Sequence, residues 1–225
     1  MLTIIPLEHA PKDLAYAVRE TYWDGLNLVP AAPQLYNAEL ILPVLARDPK
    51  IEWWSIMSNA INPLREQYDY IIFDTAPSLS YLAVNAIVAA DGLVMPLPPE
   101  NLDYSSSVAF WSLVTETLGS LVTGKSLQKD FAFVNVVLSK VSTKPANAMV
   151  KAWILKSYRE HVLPTEIPLS EVSSIGAVQF GTVHDVCDDD GASKTNSKLR
   201  EAYDRFVHAV DDQTVACNWG ERDGN

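Results

Sequence analysis

Long apolar runs, paired cysteines and positive charge are all scarce in this 225-residue chain, and each scarcity argues against a class of protein. No stretch of about 18 consecutive apolar residues occurs, so no membrane-spanning helix and no membrane partner are expected. The first residues, MLTIIPLEHAPKDL, lack a basic region followed by an apolar segment. They do not read as a secretory signal, and a cytoplasmic location is expected. The two cysteines, Cys187 and Cys217, lie far apart and form no C-x-x-C pair. That argues against a disulfide framework or a zinc site and for two free thiols. The four histidines, His9, His161, His184 and His208, share no metal-ligand spacing. Internal repeats and low-complexity segments are missing. Lysine and arginine number 17 against 28 acidic residues, a net charge of −11, which argues against nucleic-acid binding over the whole surface.

What is present is an ordinary soluble composition, 48% hydrophobic and 20% charged, in a chain long enough for one α/β domain and too short for two large ones. One domain over residues 1–225 is expected, with residues 211–225 as a weakly anchored tail. The charge is not evenly spread. From Lys140 to His161 the chain carries Lys140, Lys144, Lys151, Lys156 and Arg159 against the single Glu160. This segment is either a solvated helix face or a weak, non-sequence-specific contact to a phosphate backbone.

The pattern predicts a short strand at Leu26–Pro30, then helices over Tyr36–Arg47 and Ile51–Gln67, separated by Asp48-Pro49. Tyr70–Asp74 (YIIFD) is a continuous apolar run, as expected of a strand covered on both faces. A helix from Leu79 to Ala90, a strand at Gly92–Leu97 and a helix from Ser105 to Leu118 follow. Phe131–Leu138 (FAFVNVVL) is the clearest strand. Ala146–His161 reads as a helix and Val162–Ile167 as an edge strand stopped by Pro168. Leu199, Tyr203, Phe206, Val207 and Val210 form one apolar helical stripe. Strands alternating with helices predict a doubly wound, mostly parallel α/β sheet.

In such sheets ligands gather at the carboxyl ends of strands, and Asp74 stands at one. A carboxylate there either holds magnesium, largely through water and phosphate oxygens, or caps the following helix. A magnesium–nucleotide site also needs a loop to cradle phosphates. The one formal match to G-x-x-x-x-G-K-[ST] is GSLVTGKS, Gly119 to Ser126. A working loop leaves a strand and opens a helix, whose N–H groups then face the phosphates. Here a helix precedes and a strand follows, so the match reads as a coincidence in a helix-to-strand turn.

The stretch YDYIIFDTAPSLSYLAVNAIVAADGLVMPLPPENLDYSSS, from Tyr68, resembles the Walker B region and following segment of ParA-type partition ATPases. These belong to the deviant Walker group, and the likeness is to the large plasmid partition proteins and the RepA proteins of RepABC replicons. VRETYWDGLNLVPAAPQLYNAE resembles the segment those proteins carry before Walker B, and HVLPTEIPLSEVSSIGAVQFGTVHDV and TNSKLREAYDRFVHAVDDQ resemble their C-terminal third. The resemblance implies a P-loop NTPase-like fold with ATP and Mg2+ as cofactors. It makes Asp74 the magnesium-ordering, catalytic aspartate, with Thr75, Ala76 and Pro77 in the turn beside the phosphates. It places Glu100 near nucleotide at a dimer interface, Ser139 and Lys140 after the strand leading to the base, and Pro168 on that pocket's wall. For Glu100 and Pro168, loop packing and turn geometry are the alternatives.

Family members begin with K-G-G-x-G-K-[ST], which has no counterpart here. The chain is therefore expected to lack the first strand and phosphate loop, as an N-terminally truncated domain with impaired ATPase activity. Where relatives carry arginines after the last strand, this chain has Val178-Gln179-Phe180-Gly181. The implied function is plasmid or chromosome partitioning, through ATP-dependent dimerisation and non-specific DNA binding at the nucleoid. The implied partners are a second copy or a full-length ParA homologue and a ParB-type centromere-binding protein. The alternative is a non-catalytic interaction module that pairs with such a homologue through the sheet edge and the Ser105–Leu118 helix. An iron–sulfur reductase of the same group is disfavoured, because both cysteines lie away from Walker B.

Overall fold

The structure, a computed structural model, describes residues 14–125, 127–178, 180–185 and 193–216. The chain divides into two compact units, Met1–Ala90 and Asp91–Asn225.

In the first unit, β1 (Arg19–Glu20) and β2 (Asn27–Leu28) form a short antiparallel pair. Helix α1 spans Tyr36–Leu45, α2 spans Ile56–Ile61 and α3 spans Tyr81–Ala89. The expected helix over Ile51–Gln67 is three pieces: 3-10 turns at Trp53–Ser55 and Asn62–Leu64 flank α2. Pro63 accounts for the second break: it has no N–H to donate to the carbonyl four residues back, and the chain continues as a 3-10 turn with Asn62 still in helical geometry. Helix α3 is apolar on every side and forms the centre of the unit, with every residue from Ala83 to Ala89 buried. The buried Asn85 is satisfied at both ends. Its Oδ1 accepts from the Met57 N–H at 3.2 Å, and its Nδ2 donates to the Tyr81 carbonyl at 3.0 Å.

Tyr70–Asp74 is a correction to the sequence reading. The run belongs to no ladder among the described residues, and Ile72 is 87% exposed. An apolar run becomes a strand only when a neighbouring backbone takes up its N–H and C=O groups. Among the described residues none is in register with this one.

The second unit holds the parallel sheet. Strands β3 (Gly92–Leu97), β4 (Phe133–Val141) and β5 (Val162–Pro168) lie in the order β3-β4-β5, both pairs parallel. Alternate residues of β4 point to opposite faces. Val136 and Leu138 pack with Leu97, Val150 and Ile154 on one side. Val137 packs with Leu163, Ile167, Leu199 and Ala202 on the other. Helices α4 (Asn101–Lys125) and α5 (Pro145–Tyr158) serve the first face, and α6 (Glu171–Val178) and α7 (Ser193–Ala216) the second. The sheet is thus wound on both sides, as the alternation of strands and helices predicted.

Two boundaries move. Helix α4 runs on past Leu118 to Lys125, so Gly119–Lys125 is helical rather than a turn; Ser126 lies outside the described residues. Residues Asp211 to Ala216, read as tail, are the last turns of α7, held in part by Asn135 Nδ2 donating to Gln213 Oε1 at 2.7 Å. Residues 217–225, Cys187, Cys217, His9 and Gln179 lie outside the described residues.

Candidate functional site

The turn from Asp74 to Ser80 joins the apolar run to α3. Asp74, Thr75, Ala76 and Pro77 are all exposed. A tight turn closes on the Ser78 N–H donating to the Ala76 carbonyl at 2.7 Å. Helix α3 is capped by Ser80, whose Oγ accepts from the Ala83 N–H at 3.2 Å. The helix-cap role that sequence left open for Asp74 therefore belongs to a residue six positions later. Asp74 has no hydrogen bond or ion pair to another described residue.

The remaining N–H groups at the start of α3 are taken by Glu39 of α1. Its Oε2 accepts from Tyr81 at 3.3 Å and its Oε1 from Leu82 at 3.0 Å. A carboxylate is the favoured partner at a helix N-terminus, where unpaired N–H groups and the helix dipole present positive charge. Neither Glu39 nor Ser80 was singled out from sequence. Ser80 carries a readable signal, a serine immediately before an apolar helix. Glu39 carries none, because its partners are 42 and 43 residues away.

The other implied residues gather at the carboxyl end of the parallel sheet in the second unit. A cleft of about 520 Å³ opens there, lined among others by Glu100, Lys140, Lys144, Asn147, Trp153 and Leu169. Glu100 and Lys140 thus share one cleft, and Pro168 precedes one of its lining residues. Lys140 sits where the pairing of β4 with β5 shifts register, and its φ of 50° is left-handed. That backbone is unusual for a residue with a side chain. Asn147, in the first turn of α5, ties the walls together. Its Nδ2 donates to the buried Pro99 carbonyl at 2.8 Å, and its Oδ1 accepts from the Ser142 hydroxyl. Asn147 also escaped the sequence reading, since its partner Pro99 is 48 residues away.

Behind the cleft, α4 and α5 are joined by hydroxyls. Tyr104 OH meets Ser157 Oγ at 2.9 Å, and Ser107 Oγ meets Tyr158 OH at 2.7 Å. Burial pushes the Tyr158 phenol above the ordinary tyrosine value; the Ser107 hydrogen bond opposes this and the nearby Tyr104 adds to it.

The five basic residues do not form one patch. Lys140 and Lys144 line the cleft, whereas Lys151 is ion-paired to Glu166 of β5. Lys156 and Arg159 are exposed at the far end of α5, about 21 Å along a 14-residue helix from Lys144.

The formal phosphate-loop match is spent on helix geometry. Thr123 Oγ1 donates to the Gly119 carbonyl at 2.8 Å within α4. N–H groups already bonded inside a helix cannot cradle phosphate. Magnesium needs less from the protein, since it keeps several waters and takes one or two carboxylates plus phosphate oxygens. The free, exposed Asp74 carboxylate fits that donor set; among the described residues it has no companion cluster of metal-binding side chains.

A parallel sheet wound on both faces, with the candidate cleft at its carboxyl edge, defines a P-loop NTPase-like α/β protein. The profile of the AAA domain family matches residues 2–123, more than half of the chain. The chain belongs to this family, as a ParA-type domain. SopA of Escherichia coli K12 is 30% identical over 165 residues, 70% of this chain and 40% of SopA. The chain therefore matches less than half the length of that relative. A solved partition protein superposes with a TM-score of 0.67 at 20% identity, covering 89% of this chain and 50% of its own. An ATP-bound variant of Cyanothece McdA gives a TM-score of 0.62 at 20% identity, over 83% of this chain and 69% of McdA. At these identities the structural likeness speaks to the fold. Among the described residues no helix is long and apolar enough to cross a membrane.

Proposed function

We propose that this chain is part of a partitioning ATPase, with Asp74 as its magnesium-ordering carboxylate and Thr75 and Pro77 in the turn beside the phosphates. The observation that carries this is the free Asp74 carboxylate at the end of the apolar run, with the cap of α3 already supplied by Ser80. Bound Mg2+ would neutralise charge on the β- and γ-phosphates of ATP. Asp74 would hold it through water; Glu100, Lys140 and Pro168, at the carboxyl edge of the sheet in the second unit, are proposed separately as nucleotide contacts.

Phosphoryl transfer depends on electrostatic positioning, and the one formal phosphate-loop match is helical over its described residues Gly119–Lys125. The 225-residue chain is therefore a poor ATPase alone, and its competence depends on dimerisation or on a full-length homologue. DNA contact is weak and non-specific, through Lys140, Lys144, Lys156 and Arg159, with Lys151 muted by Glu166. The setting is the cytoplasm at the nucleoid, with a ParB-type centromere-binding protein as partner. The test is phosphate release from ATP and Mg2+ by the purified chain. Release near background is expected, and robust turnover that vanishes in Asp74→Ala overturns the impaired-ATPase reading.

A second reading, a non-catalytic module that pairs with a full-length homologue, is favoured by the exposed apolar residues of α4. Leu102 is 80%, Leu113 52% and Val108 48% exposed. Co-purification with such a homologue supports it, and no association at micromolar concentration removes it.

A further inference from the structure

We propose that Glu39 is a positioning residue for the Asp74 turn, holding it in place through the N-terminus of α3; this rests on the magnesium reading of Asp74 for its functional meaning. Three observations converge on Glu39. Its two carboxylate oxygens receive separate N–H groups, Tyr81 at 3.3 Å and Leu82 at 3.0 Å. Together with the Ser80 cap on Ala83, this satisfies the N–H groups that open α3. Glu39 is also the only charged residue in α1, YNAELILPVL, a helix otherwise built of apolar and neutral side chains. Finally, Pro43 lies four residues further on inside α1. Having no N–H, it cannot donate to the Glu39 carbonyl, so that carbonyl lacks its usual intrahelical partner although α1 runs on unbroken.

The turn needs such an anchor. Residues 70–76 belong to no ladder, so strand pairing does not fix Asp74 from its N-terminal side. On the N-terminal side Tyr68 is tied, its hydroxyl accepting from Asn27 Nδ2 at 2.7 Å; on the C-terminal side five residues separate Asp74 from Ser80 and the buried helix α3. Glu39 and Ser80 hold the first turn of that helix. Ser80 acts within its own segment, whereas Glu39 ties the segment to α1. Releasing Glu39 frees the N–H groups of Tyr81 and Leu82 to water and lets the helix start fray. A frayed start moves the point from which the Asp74 turn hangs. Partners one step removed from a metal typically change affinity by about 10–100-fold; acting through the backbone, Glu39 belongs at the low end, about tenfold.

The test uses the full chain, 15N-labelled, as wild type, Glu39→Ala, Glu39→Gln and Asp74→Asn, with Mn2+ in the presence of a non-hydrolysable ATP analogue as the paramagnetic probe. Far-UV circular dichroism confirms that each variant is folded. Without metal, Glu39→Ala is expected to shift the amide resonances of Asp74–Ser78 and speed exchange at Tyr81 and Leu82. Glu39→Gln, which keeps one acceptor oxygen, is expected to restore most of both. With Mn2+, broadening around Thr75 and Ala76 is expected in wild type, lost in Asp74→Asn, and to need about tenfold more metal in Glu39→Ala. If Glu39→Ala alters only Tyr81–Ala83 and leaves Asp74–Ser78 in place, Glu39 is a helix cap and the positioning role is refuted. If wild type shows no Mn2+ broadening, the magnesium reading of Asp74 fails. The metal-free arm then still decides whether Glu39 positions the turn.

Discussion

Replacing Ile154 by alanine tests whether α5, which supplies much of the cleft, is truly docked on the sheet. Ile154 is 0% exposed and packs with Leu97, Val136, Leu138 and Val150. Truncation removes three carbons, each worth about 0.8 kcal/mol when buried, or about 2.4 kcal/mol of transfer free energy. Three of its neighbours belong to paired strands and cannot close the gap, so a cavity term raises the loss to about 3–4 kcal/mol. The better helix propensity of alanine returns no more than about 0.4 kcal/mol. The expected net loss is about 3 kcal/mol. The two compact units need not unfold together, so the assay should report on the sheet itself: native-state hydrogen exchange at the amides of Val136, Val137 and Leu138. The adjacent Leu155, 44% exposed, is the control, and Leu155→Ala should change stability by no more than about 0.5 kcal/mol. A loss below about 1 kcal/mol for Ile154→Ala, or equal losses for both variants, refutes the packing of α5 on this face.

Gly92 faces Phe133 across β3 and β4, and a Cβ at that position would stand 2.3 Å from the ring. Gly92→Ala should therefore lose about 1–3 kcal/mol by urea unfolding, and Phe133→Leu in the same chain should recover part of it. Ser80→Ala removes the cap of α3 and should cost about 1 kcal/mol; a neutral result in the same assay would mean the cap is dispensable. Because the folded-state value of Tyr158 is raised, its contribution to stability is complete below about pH 10 and is lost as pH rises through that higher value. Tyr158→Phe should flatten the alkaline limb of a pH–stability curve, and an unchanged limb counts against the burial account. For DNA, Lys156→Ala should lower the salt dependence of binding by about one phosphate contact, a change of about 0.9 in the log–log slope. Lys151→Ala should change it less, since Lys151 is held by Glu166. Equal effects would show that the ion pair opens on DNA.

Much of the fold was legible in the sequence. Strand Gly92–Leu97 appears with the bounds its apolar run predicts, α3 and α5 fall within a few residues of theirs, and the Leu199–Val210 stripe lies inside the longer α7. Continuous apolar runs and helical stripes report local burial, and burial is what these elements share. Tyr70–Asp74 shows where that reasoning stops. Its residues have every strand preference, yet a ladder requires a second backbone in register, which composition cannot supply. The helical extent of α4 was underestimated for a different reason: Gly119 and Gly124 look like breakers, but both sit on the exposed side of a helix with nothing within 4 Å of a would-be Cβ, where glycine costs only about 1 kcal/mol.

The candidate site divides in the same way. Sequence alone determined the family, the aspartate after an apolar run and the alternation of strands and helices from Gly92 to Pro168, because motif and periodicity are local properties of the chain. Only the tertiary structure decided that Ser80 and not Asp74 caps α3, and that Glu39 docks on that helix. It alone decided that Asn147 joins the walls of the cleft and that Glu166 neutralises Lys151. Each of the last three is a contact between polar groups distant in sequence. Its strength depends on angstrom-scale placement by packed elements, and no spacing rule along the chain encodes that.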